Sequence, residues 1–422
     1  MRAVAFAVGS YGDVEPFIVL GKSMRKRGHR FSIAAFPEFE QRIRESGLGY
    51  YKMHGSLEQM LRMLLSDSDN SRESGINGLR YFYKDTEKIF ACYEKACRDA
   101  DLILYMQFGD LAYHFAEKYG IPCVRSYVYP SDPTRQFSAL MSRAKENSLL
   151  TKWSYLLCDY FMYSAKKECI AGIRRRLGLP GRPWLLGDKR QGGKRMLTLY
   201  QYSESLAPKD PGWNRMIKVT GPWYSDEQAD TFEPSGELAA FLESGETPVY
   251  IGFGSMNYSR MDELASVIHQ ALKRSGIRAV VAENLNAGGK LKSDSQIFYT
   301  GFIPFQWLFP RIRGVVEHGG SGTVHYSLRN GIPTFVLAFG ADQYFWGRRV
   351  HAAGCGPYPL DVKTDEITAK LLVQKLRELT EPEKARNAEL IRRKMAADPG
   401  VEGACGLLEK YYQNRRKQRN GR

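Results

Sequence analysis

The residues with the most chemistry in this chain lie between Thr300 and Val350. A short apolar run, Gly314-Val315-Val316-Glu317-His318, ends in a histidine and runs into Gly319-Gly320-Ser321-Gly322-Thr323. Residues 324–330 have helical length and close at Gly331, with Pro333 just beyond, so the order reads strand, glycine-rich loop, helix. That order aims backbone N–H groups and the positive end of a helix dipole at whatever sits above the strand, and a phosphate is the usual occupant. His318 and Thr323 add side-chain donors, which suits a diphosphate better than a carboxylate. A second apolar strand, 334–339, is followed by Gly340-Ala341-Asp342-Gln343. An acid and an amide at a strand's carboxyl end can read hydroxyl groups, and open α/β sheets bind ligands at that end. Diphosphate plus polyol spells a nucleotide-sugar. The plainer readings are an ordinary tight turn and a satisfied core histidine.

The amino terminus carries the second constellation. Residues 3–8 form an apolar run, broken by Gly9-Ser10-Tyr11-Gly12-Asp13-Val14-Glu15-Pro16. Residues 17–27 then have amphipathic helical spacing ending at Gly28, and 31–36 reads as another strand. This is a β-α-β start whose first loop carries a carboxylate. Asp13 is either a general base or the cap of the helix that follows.

Taken together the two segments resemble the UDP-glycosyltransferases, an inverting family with the GT-B fold, on the sterol glucosyltransferase and macrolide or glycopeptide glycosyltransferase branch. The matching residues are Ile303-Pro304-Phe305-Gln306-Trp307-Leu308-Phe309, His318 to Thr323, Ala341-Asp342-Gln343-Tyr344-Phe345-Trp346-Gly347, and the opening loop with Ser10, Gly12 and Asp13. The resemblance implies two doubly wound, Rossmann-like α/β domains facing across a cleft, the first for the acceptor and the second for the donor. It implies that His318, Gly320, Ser321, Gly322 and Thr323 hold the diphosphate, that Asp342 and Gln343 read sugar hydroxyls, and that Asp13 deprotonates the acceptor, with Ser10 and Gly12 shaping its loop. Phe302 stands where plant relatives stack a tryptophan on uracil, and Trp307 matches the tryptophan of the sterol branch; Trp307 could equally pack the loop onto the sheet. Two positions depart from the pattern. Glu317 replaces a second histidine often found there, and Tyr326 replaces a glutamate that grips the ribose in plant relatives.

The expected elements divide the chain. A strand at 196–200 precedes a Pro-, Gly- and charge-rich stretch, and Pro248 to Ser255 restarts a strand with a glycine-rich end. Gly254 and Ser255 resemble the first loop of the family's donor domain. The expected layout is an acceptor domain at 1–215, a linker at 216–235, a donor domain at 236–385, and helices at 386–422 that the family returns to the first domain.

Composition bounds the rest. The chain has 422 residues, 43% of them hydrophobic, enough for two cores. No apolar run approaches the ~18 to 20 residues of a membrane span, and the first is too short for a signal peptide, so a cytoplasmic location is expected. Seven scattered cysteines without Cys-x-x-Cys suggest reduced thiols and no zinc. A net charge of +15, with clusters at Lys22, Arg25, Lys26 and Arg27, at Arg174 to Arg176, and in the tail, reads as a solvated basic surface or as a peripheral dock on an anionic membrane. The stretch from Trp153 to Tyr163 suits an apolar acceptor pocket or plain helix core.

The expected reaction moves a hexose, glucose by family precedent, from a UDP-sugar to a hydroxyl of a lipophilic small-molecule or lipid acceptor, with no metal or other cofactor. Asp67-Ser68-Asp69 matches a metal-binding pattern of the other glycosyltransferase fold, but its polar surroundings read as a solvated loop. A UDP-sugar 2-epimerase of the same architecture and a non-catalytic nucleotide-sugar-binding protein are the alternatives. A dinucleotide oxidoreductase lacks its Gly-x-Gly-x-x-Gly after the first strand.

Overall fold

The computed structural model describes residues 1–64, 78–139, 149–182, 189–224, 232–254, 256, 258–286, 288–340 and 342–420. Ser255 and the Asp67-Ser68-Asp69 run fall outside them. The chain divides into two units. The first comprises Met1–Ser203, Lys209–Tyr224 and Pro399–Arg422, and the second Glu204–Pro208 with Ser225–Asp398.

The first unit is a seven-stranded parallel sheet. Its strands are β1 (Arg2–Phe6), β2 (Arg30–Ala35), β3 (Gly49–Lys52), β4 (Leu102–Tyr105), β5 (Cys123–Tyr127), β6 (Leu197–Tyr200) and β7 (Ile217–Val219), in the order β3-β2-β1-β4-β5-β6-β7. β1 is central, and Ala3, Val4, Ala5 and Phe6 are all buried, the unbroken apolar run of a strand covered on both faces. The order reverses between β1 and β4, so the loop after β1 sits at the switch point where open sheets take ligands.

Three expectations shift here. The helix after β1, α1, spans Tyr11–Lys26 and so starts before Pro16 rather than after it. A proline in this position forgoes the bond from its own nitrogen to the Gly12 carbonyl, a tolerable loss near an exposed helix start. Ile217–Val219, assigned above to a linker, pairs with β6 as an edge strand. The long helix α2 (Leu149–Arg176) is not plain core, because Trp153, Leu156, Leu157 and Tyr160 are exposed while Tyr155 and Ala165 are buried.

The second unit repeats the design with six parallel strands. These are β8 (Val249–Gly252), β9 (Ala279–Ala282), β10 (Ile297–Thr300), β11 (Val315–Glu317), β12 (Thr334–Ala338) and β13 (Leu360–Asp361), ordered β10-β9-β8-β11-β12-β13. Val316, Phe335 and Leu337 join Ile251 and Val281 in its core. The switch point lies between β8 and β11, where both glycine-rich loops leave the sheet.

Helices α3 (Ser321–Arg329), α4 (Gln343–Ala352) and α5 (Pro382–Met395) belong to this unit. α5 packs on α3, which keeps residues 386–398 in the second unit and corrects the expected return point. Only α6 (Gly400–Asn420) joins the first unit. It lies on α1, burying Ala404, Cys405 and Leu408 and pairing Glu402 and Glu409 with Arg27. Ser23 also bonds Glu402, and His29 reaches Glu409 at 2.9 Å. The first basic cluster is thus partly neutralised. Arg174 in the second cluster is buried and paired with Glu117 at 2.8 Å.

Candidate active site

In the first unit the site is built on the start of α1. Ser10 is its N-cap, with extended backbone angles of φ −88° and ψ −175°. Asp13 stands three residues later and completes a capping box: its Oδ2 accepts from the Ser10 N–H at 2.7 Å and from the Ser10 hydroxyl at 3.0 Å. Its Oδ1 makes no hydrogen bond among the described residues. The side chain is half-buried; burial raises its pKa above 3.8, and the two bonds from Ser10 pull in the opposite direction. Gly9 makes this arrangement sterically feasible, since a Cβ there would fall 2.2 Å from Asp13 Oδ2. Gly9 went unassigned above, and only the close approach reveals its part. Gly12 is exposed and a Cβ on it would meet nothing nearer than Ser10 Oγ at 3.7 Å.

In the second unit β11 ends at Glu317, and His318 begins the loop. Burial lowers the His318 pKa to about 4, so its imidazole is neutral at pH 7, and its Nδ1 is buried without a hydrogen-bond partner. The absence of a side chain at Gly320 lets the ring lie against the loop. A Cβ at Gly320 would fall 2.5 Å from His318 Nε2, and Gly254, at φ +59°, places its Cβ position 3.6 Å from His318 Cε1. The loops after β8 and β11 therefore meet at this histidine. Gly319, unassigned above, adopts φ +89° and would drive a Cβ to 2.6 Å from Val336 Cγ1 and 2.7 Å from the Gln343 carbonyl oxygen.

Gly320 is the N-cap of α3, and the first intrahelical bond runs from the Val324 N–H to the Gly320 carbonyl. The backbone amides of Ser321, Gly322 and Thr323 precede it, in the first turn of the helix. Thr323 is half-buried and Gly322 exposed. Tyr326, in contrast, is buried against Phe309 and Phe305, with ring centroids at 5.5 and 6.4 Å.

After β12 the backbone turns at Gly340, with φ +146°, and Asp342 stands at the N-cap position of α4, its side chain making no cap hydrogen bond. Gln343 is already hydrogen-bonded within this unit. Its Oε1 accepts from the N–H groups of Phe339 at 2.6 Å and Gly340 at 3.1 Å, and its Nε2 donates to the Met256 sulfur at 3.3 Å. The amide is committed to holding the β12–α4 turn. Phe302 is 84% exposed in the loop after β10, whereas Trp307 is half-buried against Phe232 at 5.1 Å, with the Arg311 guanidinium 4.3 Å over its ring.

Comparison with known proteins agrees with this geometry. Residues 3–138 match the glycosyltransferase family 28 N-terminal domain, and residues 279–409 match the erythromycin biosynthesis protein CIII-like C-terminal domain. A sterol 3-beta-glucosyltransferase of Arabidopsis thaliana is 30% identical over 97% of this chain and 66% of its own length. One from Pichia angusta is 28% identical over 96% of this chain and 33% of its own. The chain thus spans a third to two-thirds of these two relatives. Among solved structures, the calicheamicin glycosyltransferase CalG4 superposes with a TM-score of 0.71 at 18% identity, covering 97% of this chain and 98% of its own. The spinosyn rhamnosyltransferase SpnG, complexed with thymidine diphosphate, gives 0.67 at 17% identity over 97% of this chain and 100% of its own. Each unit has its own family match, and the whole chain shares the architecture of these enzymes: it belongs to the UDP-glycosyltransferases of the GT-B fold.

Proposed function

We propose that this chain is an inverting glycosyltransferase that moves glucose from UDP-glucose to a hydroxyl of a sterol-like lipid. The observation that carries the reading is Asp13, a half-buried carboxylate at the switch point of the first sheet with one oxygen anchored and the other unengaged. Similarity to sterol 3-beta-glucosyltransferases over 96% to 97% of this chain supports the choice of donor and acceptor.

In the proposed reaction Asp13 Oδ1 takes the acceptor's hydroxyl proton as that oxygen forms a bond to the anomeric carbon. The bond from that carbon to the diphosphate oxygen breaks, and its electron pair leaves with UDP, so the configuration inverts. Negative charge grows on the departing diphosphate. His318, Thr323 and the amides of Gly320, Ser321 and Gly322 supply donors for it, with Gly254 and Ser255 on the adjoining loop. These donors meet the charge without a metal, so the reaction is assigned none. Asp342 reads sugar hydroxyls, and Gln343 supports it by holding the turn.

A lipid acceptor also accounts for α2. Of ten large hydrophobic side chains exposed among the described residues, Leu150, Trp153, Leu156, Leu157 and Tyr160 share one side of this helix. We assign that side to peripheral contact with the bilayer that holds the acceptor. Among the described residues no helix is long and apolar enough to cross a membrane.

The test is nucleoside diphosphate release measured with UDP-glucose and dTDP-glucose against a panel of sterols, glycolipids, polyketides and flavonoids, with and without EDTA. Sterol-dependent release from UDP-glucose that EDTA does not stop is the expected result. UDP release that ignores acceptor would replace the proposal with an epimerase or hydrolase.

A further inference from the structure

Glu317 is a buried acid that the proposed chemistry does not use. It ends β11 with no exposed surface, and neither carboxyl oxygen has a hydrogen-bond partner among the described residues. No ion pair reaches it among the described residues. From β8 its register partner is Gly252, and the titratable group on that strand that acts with it is Tyr250, which burial and then Glu317 push up to about 12. From β12 it faces Val336. The neighbouring His318 is neutral at pH 7. Two polar groups favour charge on Glu317, the Thr323 hydroxyl on α3 and the Gly319 N–H, but burial outweighs them and holds the carboxyl well above the usual carboxylate range. An ionised carboxylate in this position would face solvent exclusion, no cation and, on binding, a diphosphate.

We propose that Glu317 is a positioning residue that works as a neutral carboxylic acid, donating its O–H to the Thr323 hydroxyl so that the threonine's own proton points at the donor diphosphate. A hydroxyl has one proton and two lone pairs. With an acid beneath it, Thr323 accepts from below and donates upward. With a carboxylate beneath it, Thr323 would donate downward and turn lone pairs toward the phosphate, while a further negative charge lay under the loop. In the proposed arrangement the carbonyl oxygen of the same acid accepts from the Gly319 N–H, tying the loop's first turn to the strand end. The inference rests on the reading of this loop as the diphosphate site.

Glutamine keeps both functions, an acceptor for Gly319 and an N–H donor for Thr323, and cannot ionise. Titration of the full chain with UDP by calorimetry should therefore find Glu317→Gln within about twofold of wild type and Glu317→Ala weaker by about tenfold, the scale of one charge-assisted hydrogen bond. If Glu317 acts through Thr323, the alanine substitution should cost less than about twofold when Thr323→Val is already present. Infrared difference spectra of wild type against Glu317→Gln, which need no ligand, should show a carboxylic-acid C=O band lost in the variant. A carboxylate band in its place, a glutamine variant as weak as alanine, or an undiminished alanine effect beside Thr323→Val would overturn the proposal. Failure of wild type to bind UDP would instead sink the assignment of the donor site, and the infrared result would still decide the state of Glu317.

Discussion

Asp13 and Ser10 hold each other: one oxygen of the carboxylate takes both the N–H and the hydroxyl of the residue that caps its own helix. A capping residue and a general base look like rival readings of one aspartate, yet a carboxylate has two oxygens. Oδ2 fixes the side chain's rotamer, and Oδ1 is left without a bond among the described residues, as the proposed base requires. The cap thereby sets the direction from which a proton can be taken.

Asp13→Asn separates the two parts. The amide oxygen can still accept from Ser10, so the helix start survives, but no base remains. Turnover should fall about 100-fold to 10,000-fold with UDP affinity and melting temperature nearly unchanged. Burial raises the Asp13 pKa above 3.8, and the base is active only when ionised, so kcat/KM of the wild type should fall as pH drops through a value above 3.8. Turnover of the asparagine variant within threefold of wild type would refute the role.

The histidine of the second unit is tested through its neighbour as well as directly. His318→Ala should weaken UDP binding and slow transfer together, by roughly tenfold or more, because a neutral imidazole N–H donating to an anionic phosphate acts in the ground and transition states alike. Gly320 has ordinary helical-entry angles, φ −62° and ψ 134°, that alanine can adopt, but its Cβ would fall 2.5 Å from His318 Nε2. Gly320→Ala should therefore reproduce much of the His318→Ala loss in calorimetry while the protein remains folded. Unchanged UDP affinity in both variants would remove His318 from the site.

Both glycine-rich loops could be read from the chain because their signals are local: glycine, histidine and hydroxyl residues at fixed offsets after a short apolar run. The start of α1 could not, because Pro16 reads as a breaker and only the Ser10–Asp13 capping box shows the helix starting earlier. The bonds that Gln343 makes were not legible for a tertiary reason, since its partners include the Met256 sulfur, which lies on another loop. The same holds for α2, where nothing in the run from Trp153 to Tyr163 distinguishes a buried aromatic from an exposed one. Gly9 and Gly319 act through clashes with side chains and backbone that a one-dimensional pattern does not contain.

Asp342 and Gln343 should now differ. Asp342→Ala is expected to cut transfer from the intact donor far more than it cuts affinity for UDP alone, since nucleotide and sugar are read by separate groups. Gln343→Ala removes the acceptor that satisfies the Phe339 and Gly340 amides, so it should lower the melting temperature, with a destabilisation of about 1 to 3 kcal/mol. Thermal unfolding together with donor kinetics checks both. A Gln343→Ala protein as stable as wild type, but specifically poor in sugar use, would restore the glutamine to direct contact with the hexose.

The uracil of the proposed donor needs a flat partner, and the structure makes the two candidates unlike. Phe302 is almost fully exposed in the loop after β10, so its ring has little to do in the free protein. Trp307 already packs on Phe232 and beneath the Arg311 guanidinium, and both contacts would be lost on truncation. Base stacking on an aromatic is worth roughly 1 to 3 kcal/mol by alanine substitution. Phe302→Ala should then weaken UDP binding by about fivefold or more while leaving the melting temperature alone, because an exposed ring contributes little to folding. Trp307→Ala should chiefly lower the melting temperature. Calorimetry and thermal unfolding on the same two proteins decide it: the reverse pattern would move the base onto Trp307, and no change in UDP affinity from either would place it on neither ring.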